Sequence, residues 1–176
     1  MKKDKLYTDQ QIEEILALVD QQEGEQIPVI PQSNWCDDGL NRLYGATITD
    51  IRISKGEEYL TFVTDKGLIS FEGWSDCCSE TWFADFFGIP FILGSEVFSV
   101  ESIDLEVGDY NVESDERTRQ DCDEVYGYRI KTKRGVGIFS LRNSSNGWYG
   151  GSIHNSDRHI TDESCSIISQ RNWMAQ

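Results

Sequence analysis

Leu43 to Phe71 reads LYGATITDIRISKGEEYLTFVTDKGLISF, and its periodicity decides the architecture. Leu43, Gly45, Thr47 and Thr49, then Ile48, Ile51 and Ile53, predict a strand that ends near Ile53. Lys55-Gly56-Glu57-Glu58 is a polar turn. Tyr59, Leu60, Phe62 and Val63 make a second strand, Asp65-Lys66-Gly67 the next turn, and Leu68, Ile69 and Phe71 a third strand. β-Branched and aromatic side chains suit a pleated, half-buried surface. Short strands joined by short polar turns spell a β-meander.

The same alternation returns further on. Val125, Tyr126, Tyr128 and Ile130 lead into Lys131-Thr132-Lys133-Arg134-Gly135, and Val136, Ile138, Phe139 and Leu141 form the return strand. Asn143 to Gly147 reads as a turn, with Asn146-Gly147 suited to positive φ. Trp148, Tyr149 and Ile153 open a closing strand, and Val97 to Leu105 reads as another.

Between these sections the spacing predicts a helix. Ser75 or Asp76 can cap it, Glu80 favours its positive end, and Gly88 and Pro90 stop it. Cys78, Trp82, Phe83, Phe86 and Phe87 would share one face laid on the sheet. A second helix is expected over 8–22. Thr8 and Gln11 make a capping box, and Ile12, Ile15, Leu16 and Val19 follow as one narrow apolar stripe. Pro28 and Pro31 bracket a linker. The expected organisation is an N-terminal amphipathic helix (1–26), a linker (27–39), one α+β domain (40–160) and a C-terminal tail (161–176). The expected fold is a bent, mostly antiparallel sheet of six to eight strands, with one short packed helix and the N-terminal helix.

Charge narrows the function classes. The chain has 31 acids against 16 bases, a net −15. That opposes direct phosphate-backbone binding and attachment to an anionic membrane. No run approaches the roughly 18 apolar residues of a membrane span, and no export signal is read at the start. Acids concentrate over 101–124, where ten face only Arg117 and Arg119; residues 106–122 read as an exposed loop.

The five cysteines are Cys36, Cys77, Cys78, Cys122 and Cys165. One pair is vicinal and no CxxC occurs, so reduced thiols in a cytoplasm are expected, with no metal and no cofactor. A helix start at Cys77 or Cys78 would favour thiolate, and His154 with Asp76 or Glu80 could complete a Cys-His arrangement. Adjacent acids oppose that, and a packed Cys78 with Asp76 as a cap is the preferred reading. Lys131, Lys133, Arg134 and Arg142 could hold a small anion, but a charged edge hairpin that discourages aggregation is preferred.

The order of these pieces resembles a small family of uncharacterised domains found mostly in bacteriophages and in bacterial genomes carrying prophages. The resemblance covers about residues 40–155. It rests on Leu43-Tyr44-Gly45-Ala46-Thr47-Ile48, Asp76-Cys77-Cys78-Ser79-Glu80, Ile92-Leu93-Gly94-Ser95, Gly135-Val136-Gly137-Ile138 and Ser144-Ser145-Asn146-Gly147-Trp148-Tyr149. The family's Asp-Cys-Cys-acid motif is interrupted here by Ser79, and its Tyr-Tyr pair is Trp148-Tyr149. The resemblance implies a phage accessory protein acting in the host cytoplasm, and no reaction.

The function expected from these residues is a non-enzymatic, acidic interaction protein. It would bind and inhibit a host factor such as a defence nuclease, its carboxylates standing in for nucleic-acid phosphates. The expected partner is a host nucleic-acid-binding protein, and the N-terminal helix offers a route to a homo-oligomer. The contact residues are Glu113, Asp115, Glu116, Asp121, Asp123 and Glu124. The alternatives are a nucleotide-type ligand binder with its pocket at Asp76, Trp82, Asn146 and Trp148, and a cysteine enzyme centred on Cys77.

Overall fold

The structure, a computed structural model, describes residues 39–110, 112–114 and 120–168, together with Gln10, Glu13, Glu14 and Ala17. Apart from those four positions, the helix expected over 8–22 lies outside the described residues, as does the proline linker.

Among the described residues, eight strands form two four-stranded antiparallel sheets. In chain order they are β1 (Ile48–Ile53), β2 (Tyr59–Thr64), β3 (Gly67–Ser75), β4 (Ser79–Phe87), β5 (Val97–Asp104), β6 (Cys122–Thr132), β7 (Gly135–Ser145) and β8 (Gly151–Ser156). Sheet one runs β1-β2-β3-β8 and sheet two runs β4-β7-β6-β5. The chain crosses from one sheet to the other between β3 and β4, and crosses back between β7 and β8. The single sheet of six to eight strands expected above is therefore two. Sequential hairpins could not reveal that the chain changes layer twice, because both crossings are short.

The meander is as expected: Leu60 faces Ile53 and Phe71, and Phe62 faces Ile51 and Ile69. Strand alternation turns Leu60, Phe62 and Phe71 inward. They meet Phe83, Phe139 and Leu141 of sheet two in one core. Phe139 is its hub, with ring centroids 6.2 Å from Phe62 and 5.3 Å from Tyr128.

The helix expected at Asp76 to Phe87 is instead β4. Trp82, Phe83, Phe86 and Phe87 are spaced for a helix face, yet aromatics are also good strand formers. β4 runs beside β7, and a register break between Ala84 and Phe87 turns the chain. Asp85 occupies that break with φ 52°, so Phe86 joins the inner core while Phe87 joins a second cluster outside sheet two. The described short helix is one turn, α1 (Ile89–Ile92). It starts after Gly88 at φ 67°, where a Cβ would lie 2.2 Å from the Val136 carbonyl. α1 seals one end of the sandwich, with Ile92 against Gly137.

β7 is buried along its whole length. Its inner face carries Phe139 and Leu141. Its outer face carries Val136, Ile138, Ser140 and Arg142, covered by Leu105, Val112 and Phe87. Arg142 grips Asp85 with two hydrogen bonds, of 2.7 and 2.6 Å, and also donates to the Glu113 carbonyl at 2.6 Å. Ser140 completes the group by donating to Asp85. Residues 161–168, which carry no clear pattern in sequence, pack on β1. Arg52 donates to Thr161 O, Ile167 N donates to Ile51 O, and Ile167 is buried.

Candidate functional site

The two crossings between sheets lie at the same end of the molecule, opposite α1. Ser79 pairs with Ser145, Ser145 with Cys122, and Ser75 with Gly151. The Asp76-Cys77-Cys78 turn, the 146–150 loop and the start of β6 therefore converge. The two motifs singled out in sequence meet because each is a crossover.

Local hydrogen bonds shape both segments. Ser79 N donates to Asp76 O at 3.0 Å, which closes the turn. Asp76 accepts from Cys77 N at 3.1 Å through its side chain, so it caps a turn and not a helix. In the loop, Gly147 N donates to Ser145 Oγ and Trp148 N to Asn146 Oδ1. Gly147 supplies the expected positive φ of 83°. Asn143, buried on β7, ties the loop down. Its amide oxygen accepts from Thr81 Oγ1 at 2.9 Å and Gly151 N at 3.3 Å, and its NH2 donates to Tyr149 O at 3.2 Å.

The outcome is a polar end with bare aromatics. Trp148 is 86% exposed and Trp74 43%. Trp74 stacks on His154 at 5.4 Å, and His154 also bonds Ser152. Tyr149 sits against the cysteine turn. Its phenol is held above its usual pKa, first by the charge of Cys77, then by Cys78 and Asp76. Cys78 is raised too, chiefly by its hydrogen bond with Cys77 and that neighbour's charge. The two sulfurs are 3.5 Å apart. On β6, Tyr126 donates to Glu124, and burial followed by that bond pushes the Tyr126 phenol up to about 12.

The acidic candidates divide. Asp121, Asp123 and Glu124 are exposed at this end, but strand alternation sends Asp123 and Glu124 to opposite faces of β6. Glu113 is exposed elsewhere, in the loop over sheet two. Asp115 and Glu116 lie outside the described residues. Of the ligand-binding candidates, Asp76, Asn146 and Trp148 are together and exposed, whereas Trp82 is fully buried and cannot line a pocket with them. The helix that was to activate Cys77 is a turn, and His154 is engaged by Trp74 and Ser152. The basic residues weighed as an anion site are dispersed. Lys131 pairs with Glu101 at 3.1 Å, Arg134 reaches Leu93 O, and Arg142 is buried beside Val125, far from the 133–134 turn.

Sequence reasoning missed Trp74 as a surface residue. The available signal was its place directly before a polar turn, at an outward position of β3. It also missed an open cleft of about 430 Å³ between the β1–β2 turn and residues 158–162. Lys55, Arg158 and His159 line it beside Glu58 and Asp162. Arg158 lies 4.3 Å over the Tyr59 ring, and His159 Nδ1 is 2.7 Å from Ser70 Oγ.

A family model described as a domain of unknown function, DUF7448, matches residues 41–154. Uncharacterized protein L278 of Acanthamoeba polyphaga mimivirus is 34% identical over 125 residues, which is 66% of this chain and 92% of that protein. No solved structure matches.

Proposed function

The chain belongs to the DUF7448 family of domains of unknown function, and from that premise we propose that it is a non-enzymatic interaction module. Its partner is a basic, nucleic-acid-handling protein of a host cell, which it inhibits. The observation that carries this reading is the bare Trp148 at the crossover end, 86% exposed, with Asp76, Asp121, Asp123 and Glu124 exposed on the surrounding segments. Tryptophan is the side chain most enriched where interfaces concentrate their energy. Carboxylates around it add little affinity in water but steer a basic partner and speed encounter. Their role as phosphate substitutes, and a phage or prophage source, extend the same reading. A viral relative and a net charge of −15 support it.

Pull-down from host lysate with the full chain tests this. Capture at low salt should weaken about tenfold or more at high salt. It should be lost in Trp148→Ala and reduced in Asp121→Asn/Asp123→Asn/Glu124→Gln. Capture that survives both variants overturns the reading.

The cleft at Lys55 favours a second reading, a binder of small anions such as nucleotides, since its volume lies in the range of ligand sites. A nucleotide-dependent rise in Tm that disappears in Arg158→Ala would support it. No shift with any nucleotide would remove it.

A further inference from the structure

The geometry points to the Cys77–Cys78 turn as a two-thiolate chelate for a soft, thiophilic divalent ion of the d10 class. The sulfurs are 3.5 Å apart. A tetrahedral ion with sulfur at about 2.3 Å spans two thiolates roughly 3.8 Å apart, so the pair is near its bite without rearrangement. A disulfide would need about 2.05 Å within a strained ring of adjacent residues. Both cysteines are free and exposed. The backbone that carries them is fixed by the Ser79 N to Asp76 O bond and by the Asp76 side chain.

Electrostatics favour the same occupant. Two adjacent thiolates repel one another. A dication between them removes that repulsion. Binding exchanges two thiol protons for the ion: both protons leave to solvent, two metal–sulfur bonds form, and nothing is oxidised or reduced. Among the described residues no cluster of three or more His, Cys, Asp and Glu is arranged to hold a metal. The proposal assigns the remaining coordination positions to water, which leaves the ion open to whatever docks on this end.

Cadmium titration of the reduced full chain, followed by thiolate-to-metal charge-transfer absorption, tests the proposal. One equivalent should bind. Cys77→Ser and Cys78→Ser should each weaken binding at least tenfold, and Cys36→Ser, Cys122→Ser and Cys165→Ser should leave it unchanged. Affinity should rise with pH because protons are released. Serine at these exposed positions preserves shape, and circular dichroism confirms that each variant is folded. Binding that persists in both Cys77→Ser and Cys78→Ser, or that vanishes in Cys122→Ser, overturns the proposal. So does the lack of charge-transfer absorption in the folded wild type.

Discussion

The two ends of the sandwich are built on opposite principles. At the α1 end, backbone approaches backbone, Gly88 and Gly137 leave room for close contact, and Ile89 and Ile92 are buried. At the crossover end, short loops are held by a few hydrogen bonds, several of them from side chains, and a tryptophan is left in water. The first end and the covered outer face of sheet two serve stability. The second end has little to lose in stability and much surface to offer.

The largest test of that contrast is on the covered face. Asp85→Ala leaves the Arg142 guanidinium buried without the Asp85 carboxylate, and should cost about 3–5 kcal/mol in urea unfolding. The double variant Asp85→Leu/Arg142→Met should recover most of that loss. Next, Gly88→Ala forces a Cβ to within 2.2 Å of the Val136 carbonyl at positive φ, and about 3 kcal/mol is expected. At the crossover end, Asn143→Ala should cost about 1–3 kcal/mol and speed amide exchange at Gly151. If it costs as much as Asp85→Ala, the contrast fails.

A smaller effect is alkaline. The Tyr126 phenol, pushed up to about 12, keeps its proton longer in the folded state than in the unfolded chain, where it titrates near 10. Its stabilisation is complete below pH 10 and declines as pH rises towards 12. Tm measured across that window should fall less steeply in Tyr126→Phe. The smallest change belongs to Trp148→Ala, within about 0.5 kcal/mol in stability, although partner capture is lost.

Legibility followed the range of the interactions. β1, β2, β3 and the β6–β7 hairpin were readable because their partners are adjacent in sequence. β4 was not, since Trp82, Phe83, Phe86 and Phe87 fit a helix face as well as a bulged strand, and only its pairing with β7 decides. The closing turn falls a few residues later than the sequence suggests, because Asn143 and Ser144 have the composition of turn formers yet belong to β7. Both are buried in β7 by hydrogen bonds that no local pattern announces. For the site, both crossover motifs are visible in the sequence, and Asp76, Asn146 and Trp148 lie on the two segments that meet. Their convergence, and the burial of Trp82, depend on pairings between residues some sixty positions apart.

The alternation of layers also has a consequence for synthesis. β4 must wait for β7, and β3 must wait for β8, the last of the described strands. Until residues 151–156 leave the ribosome, β3 has an open edge of unpaired amides, which is a template for association with other nascent chains. A chain cut short before Gly151 should therefore collect in aggregates, and translation speed through this last segment should influence the yield of soluble protein.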